Sequence, residues 1–136
     1  MKQKGFTLTE TLIIGALFGV FVLAGTLMLS SERARTRDTK RIADMTRLAA
    51  GFALLYSQKG SYVDAAAGCP RVNSNPAACS LTSVIGALDA IKDPGRYHYT
   101  IYKVPDQDDF AVKFTLEKSY GSLLAGTHYL NRDGIH

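Results

Sequence analysis

From residue 11 to residue 31 the chain carries no charged side chain, and the residue immediately before this run is Glu10. A helix rises about 1.5 Å per residue, so the run reaches across the roughly 30 Å hydrocarbon core of a bilayer. In lipid a single segment must satisfy its own backbone hydrogen bonds, which leaves it one choice, the α-helix. Glu10 at the mouth of that span then needs a partner, because an ionisable group in hydrocarbon costs at least ~2.5 kcal/mol. An ordinary secretory signal has a shorter apolar core, roughly 7 to 15 residues, with a small-residue cleavage site beyond it. Here the small residue Gly5 lies before the apolar run, beside Lys2 and Lys4.

The stretch Lys4-Gly5-Phe6-Thr7-Leu8-Thr9-Glu10 followed by an apolar span resembles the prepilin signature of type IV pilins and type II secretion pseudopilins. That resemblance implies cleavage between Gly5 and Phe6 by a prepilin peptidase, which removes residues 1–5 as a leader and methylates the freed Phe6 amine. It also implies that Glu10 guides assembly by meeting the Phe6 amine of a neighbouring subunit. One helical turn separates Phe6 from Glu10, so the two charges can also meet within one chain. The plainer alternative is a signal anchor in which Gly5 is incidental and Glu10 snorkels to the interface. The junction and the glutamate spacing match together, which favours processing. A second resemblance covers residues 31–63. There Arg-Ala-Arg-Thr-Arg-Asp-Thr-Lys-Arg-Ile-Ala-Asp-Met, a helix, and Gln58-Lys59-Gly60-Ser61-Tyr62 look like the neck of G-type major pseudopilins and small bacterial pilins.

The net charge of +4 suggests nucleic acid until its distribution is read. Residues 32–47 hold six basic against three acidic groups, and residues 48–136 hold eight of each. The excess therefore belongs to the leader and the segment after the span. Arg33, Arg35, Arg37, Lys40 and Arg41 compete with the two leader lysines under the positive-inside rule, so the processing motif, not charge, places the leader in the cytoplasm. As a nucleic-acid stripe this segment is poor, because Glu32, Asp38 and Asp44 interleave with the basic residues. Burial beside lipid headgroups or inside a filament is the better reading.

Helical period continues past Ser31. Ile42, Met45, Leu48, Ala49, Phe52, Leu55 and Tyr56 recur at steps of three and four, one stripe of an amphipathic helix. No proline interrupts residues 6–60, which predicts one helix of roughly 80 Å, with residues 6–31 in lipid, 32–58 amphipathic, and Lys59-Gly60 as the stop. Pilins often carry a proline within the span; this chain has Leu27 in that region. Gly15, Gly19 and Gly25 are its weak points, at ~1 kcal/mol each relative to alanine. Gly15-x-x-x-Gly19 reads equally as a packing face or a chance pair.

Residues 59–136 then form a small head, near the lower size limit for a self-supporting core. A helix laid along it and a Cys69–Cys79 disulfide would brace it. An even cysteine count on the exported side of a membrane favours the disulfide, worth roughly 2.5 to 3 kcal/mol on the chain-entropy model. Zinc is a poor rival, since the two thiols lack a second ligand pair. Many type IV pilins close a C-terminal loop instead. Residues 65–80 read as a loop. Leu81, Val84, Ile85, Leu88 and Ile91 predict a short helix capped by Ser80 or Thr82 and ended by Asp93-Pro94-Gly95. Alternation predicts strands at residues 97–104 and 110–117, a hairpin at 105–109, and a third strand near 127–130. Their apolar face is Tyr97, Tyr99, Ile101, Phe110, Val112, Phe114 and Leu116.

Asp106, Asp108 and Asp109 are weak calcium candidates; the EF-hand pattern is absent, and a solvated hairpin tip is the better reading. His98, His128 and His136 are dispersed, and no nucleophile elbow, phosphate loop or metal-ligand pair occurs, so the chain is not read as an enzyme. The expected architecture is α+β and pilin-like: one long N-terminal helix on an antiparallel sheet of about three strands. The expected role is a structural subunit of a type IV pilus or pseudopilus. Its implied partners are further copies, sister pilins, the prepilin peptidase, an inner-membrane platform protein and an assembly ATPase. It would cross the inner membrane once, head outside, before joining a surface or periplasmic filament. The rivals are a minor pilin that primes assembly or binds a ligand such as DNA, and a monomeric membrane-anchored binding module.

Overall fold

A proline-free run with unbroken helical period folds as one helix, α1, from Leu8 to Lys59. The computed structural model describes residues 7–136, so Lys2, Lys4 and the Gly5–Phe6 junction lie outside the described residues. The chain divides into two compact units, Met1–Ala34 and Arg35–His136. The stop comes where the sequence places it. Gly60 takes φ +69°, and its N–H donates to the Tyr56 carbonyl at 2.7 Å. A left-handed residue just past the last turn is a glycine position, because a Cβ there is strained.

In the unit Arg35–His136 the apolar stripe of α1 packs on a four-stranded antiparallel sheet, giving the α+β layout of a pilin-like fold. The strands are β1 (Thr100–Lys103), β2 (Ala111–Leu116), β3 (Gly126–Asn131) and β4 (Gly134–Ile135), in that spatial order. Alternation assigns the faces: Ile101, Val112, Phe114, Leu116 and Leu130 are buried toward Met45, Leu48, Phe52 and Leu55 of α1. Phe52 stacks on Phe110 with ring centroids 3.8 Å apart, and Tyr62 meets both rings edge-on. Tyr56, assigned to the stripe, is instead exposed and leans on Tyr62 at 4.8 Å. The expected three strands become four because the Asn131 side chain accepts from the Asp133 N–H at 2.8 Å. Gly134 at φ +117° then returns the chain along β3.

The short helix predicted over residues 81–91 does not form. Val84 and Ile85 both donate to the Leu81 carbonyl, at 2.9 and 2.8 Å, and that single turn is followed by Ala87 at φ +51° and a 3₁₀ turn, Leu88–Ala90. Neither Ser80 nor Thr82 supplies a cap, and a helix this short is marginal without one. Tertiary contact wins instead. A Cβ on Gly51 would lie 2.0 Å from Ile85 Cδ1, so the loop seats Ile85 directly against the backbone of α1. Leu81, Ile85, Leu88 and Ile91 still reach the core.

The loop of residues 65–80 contains two 3₁₀ turns, Val63–Ala67 entering it and Pro76–Ala78 within it. Cys69 and Cys79 are disulfide-bonded, with Cα atoms 4.7 Å apart, and both are buried. At Gly68 a Cβ would stand 1.8 Å from the Ala78 carbonyl oxygen, so the two arms of the loop meet backbone to backbone.

Candidate functional site

Thr7 and Glu10 open α1 with reciprocal hydrogen bonds. The Thr7 N–H and hydroxyl each donate to Glu10 Oε2 at 2.8 Å, and the Glu10 N–H donates to Thr7 Oγ1 at 3.3 Å. This is the capping box, a threonine whose side chain caps the helix and a glutamate three residues on that reaches back. The Thr-x-x-Glu spacing is visible in the sequence and identifies a local partner for Glu10 that the sequence reading left out. The Phe6 amine, the expected partner, lies outside the described residues.

Beyond this cap the helix presents apolar side chains to the open. Phe21 is 75 % exposed, and Leu12, Phe18, Leu23 and Leu27 are similarly bare. Among the described residues this one helix is long and apolar enough to cross a membrane, and none of that stretch is buried. Cβ atoms at Gly15, Gly19 and Gly25 would meet nothing within 4 Å. Among the described residues this surface is left uncovered, and contiguous exposed apolar patches of this size mark membrane or protein contacts.

The charged segment that follows is occupied very differently. Arg41 is fully buried and binds three carboxylates. Its Nε and one terminal nitrogen clasp Asp93 at 2.6 and 2.9 Å, while the other reaches Asp38 and Glu117, both at 2.7 Å. Asp38 also accepts from the backbone N–H groups of Glu117 and Lys118 at 3.0 and 2.7 Å. Arg37 clasps Glu117 with two bonds of 2.7 and 2.5 Å. The Tyr97 ring lies 5.1 Å from the Arg41 guanidinium carbon. Burial opposes the charge on Arg41, but the hydrogen bonds it donates to Asp93, Glu117 and Asp38 outweigh it and hold its pKa above the ordinary value. The Arg37 hydrogen bond, helped by Arg41, holds the Glu117 carboxyl down at about 2.

One turn along, Lys40 Nζ donates to Asp44 Oδ2 at 2.5 Å and to the carbonyls of Lys92 and Ala90 at 3.0 and 3.3 Å. The Tyr99 hydroxyl donates to the same Asp44 oxygen at 2.9 Å, and burial first, then Asp44, raises the Tyr99 pKa. The expectation that this run is covered by headgroups or a filament is thus corrected for Arg41, which the chain's own head buries, while Arg37 and Lys40 pair with the head and stay partly exposed. All three bond to residues of the chain's own head, and the i,i+3 pair Asp38/Arg41 and the i,i+4 pair Lys40/Asp44 are the local traces of the network in the sequence. Their partners Asp93 and Glu117 lie 52 and 76 residues from Arg41.

The aspartate loop is also engaged. Asp106 Oδ1 accepts from the N–H groups of Asp108 and Asp109 at 2.9 Å each, and Lys103 Nζ bridges Asp106 and Asp109 at 3.0 and 3.1 Å. The backbone bond from Asp108, then Lys103, lowers the Asp106 pKa. Among the described residues no group of three His, Cys, Asp or Glu side chains is placed to hold a metal ion, and Asp106, Asp108 and Asp109 make a lysine-bridged turn. His128 Nε2 lies 2.7 Å from the Leu124 carbonyl, and the His136 backbone pairs with Tyr129. No family model, curated protein or solved structure matches this chain.

Proposed function

We propose that this chain is a structural subunit of a type IV pilus or pseudopilus filament, assembled through the N-terminal half of α1. One observation carries the reading: a capped helix start with Glu10 at its third position leads into an apolar surface left exposed among the described residues. A lipid core covers that surface before assembly, and the spans of neighbouring subunits cover it afterwards. The prepilin-like junction at Gly5 and Phe6 supports cleavage there, a cytoplasmic leader and a head outside the inner membrane. The self-contained ion network of the head supports a role in which the head is displayed and the helix associates. The partners are the peptidase, the platform protein, the assembly ATPase, further copies and sister pilins.

Glu10 has two roles in this proposal, a local cap and a charge offered to the amine of the neighbouring subunit, and substitution separates them. Glutamine keeps the capping bonds but not the charge. The expected results are a mature chain that starts at Phe6 on N-terminal sequencing and sheared filaments lost in both Glu10→Ala and Glu10→Gln. An intact Met1, or wild-type filament yield from Glu10→Ala, would overturn the assembly reading. Wild-type yield from Glu10→Gln alone would reduce Glu10 to its cap.

A further inference from the structure

A cleft of about 700 Å³ opens on the head between the disulfide-closed loop, the 3₁₀ turn Leu88–Ala90 and the start of β1. Its size lies within the range of small-molecule sites. Both walls are pinned from behind. On one side the Asn73 N–H donates to the Ile101 carbonyl at 2.7 Å, the Ile101 N–H donates to the Ser74 carbonyl at 2.9 Å, and the disulfide closes the same loop. On the other, Lys40 holds the carbonyls of Ala90 and Lys92, and Arg41 holds Asp93. Groups held this way need little ordering when a ligand arrives.

What the cleft offers is set by which of its polar groups are already engaged. Asp93 and Tyr99 are committed to Arg41 and Asp44. The side chains of Asn73, Asp89, Lys92 and His98 form no hydrogen bond or ion pair with the described residues. Thr100 Oγ1, also in the lining, is buried with no hydrogen-bond partner among the described residues. A carboxylate only accepts, an ammonium only donates, and an amide and an imidazole do both. Ala77 and Ala78 add an apolar patch to this rim.

We propose that this cleft binds a neutral polyhydroxylated ring, one or two sugar units. Each sugar hydroxyl both donates and accepts, so it can meet the mixed rim at any position, and the C–H face of the ring can lie on the apolar patch. An anionic ligand would meet Asp89, and a cationic one Lys92. The proposal concerns the head alone and stands whether or not the chain polymerises.

The full chain, isotope-labelled and held in a detergent without a sugar headgroup, is titrated with glucose, galactose, N-acetylglucosamine and maltose up to about 100 mM, reading its nuclear magnetic resonances. At least one sugar is expected to shift the signals of Asn73, Asp89 and His98 saturably with a millimolar Kd. Asp89→Ala and His98→Ala, both exposed positions, are expected to weaken that binding about tenfold or more while leaving the core signals in place. Three results would overturn the proposal: no saturable shift with any of the four sugars, unchanged binding in both variants, or saturation by the zwitterion diglycine and not by the sugars.

Discussion

Up to Ala34, α1 leaves Leu12, Phe18, Phe21 and Leu27 in the open; past Arg35 it buries Met45, Leu48 and Phe52 completely and takes Arg41 in with them. Hydrophobicity alone does not separate these two regions, since the more apolar one is the barer. The difference lies in whether the chain supplies the partner. In the head it supplies a sheet for the apolar stripe and three carboxylates for one guanidinium, so even a charge is buried. In the N-terminal unit it caps the helix but leaves the apolar stretch exposed among the described residues, a candidate for cover by lipid or other molecules.

The sharpest break of that contrast is Arg41→Ala. Removing the guanidinium strands Asp38 and Asp93 in a buried site, a loss of the kind that costs about 3–5 kcal/mol. Leu12→Ala, in the bare region, is expected to leave the head within about 0.5 kcal/mol of the parent. Urea unfolding of the full chain in micelles, followed by tyrosine absorbance, compares them, and an Arg41→Ala cost under about 1 kcal/mol would sink the account. Reduction of the Cys69–Cys79 bond comes next, with an expected loss of about 2.5 to 3 kcal/mol confined to the head.

Acid is the third probe. Glu117 has a pKa of about 2 in the folded chain against an ordinary 4.5, so its contribution is complete above about 4.5 and is lost as pH falls toward 2. After discounting for its partial exposure, the loss is on the order of 2 kcal/mol. Glu117→Gln should flatten the stability profile in that window, and an unchanged acid slope would show that the carboxylate is not engaged. The smallest effect belongs to Thr7→Ala. It should loosen the first turn of α1 by about 1 kcal/mol in amide hydrogen exchange, with the unfolding midpoint of the head unmoved.

Much of this was legible in residue order. The stripe from Met45 to Leu55, the glycine at residue 60 and the alternation through Val112, Phe114 and Leu116 each encode a local period or a local backbone need. Thr7 and Glu10 encode a cap in the same local way, though the reading of Glu10 as an assembly charge passed over it. The segment at residues 81–91 misled because its apolar spacing reports which side chains go inward. Core contact, here Ile85 against Gly51, can draw them inward without a helix.

Arg41 was illegible for a different reason. A run of interleaved charges after a span reads as a segment covered by lipid headgroups or a filament, and whether a charge can instead be buried in the chain's own head depends on counter-charges whose positions are set by folding. Asp93 and Glu117 come from a loop and from the residue after β2, and no pattern in residue order pairs them with residue 41. The same holds for the cleft beside the disulfide, whose walls are joined through Lys40, Arg41 and Ile101. Residue order by itself therefore determined the long helix α1, the alternation of β2 and which stretch is apolar enough to cross a membrane, because those follow from nearest neighbours and from hydration. Which charges are buried and which polar groups remain free to bind was decided by three-dimensional packing, because electrostatic and hydrogen-bond partners are chosen by distance in space.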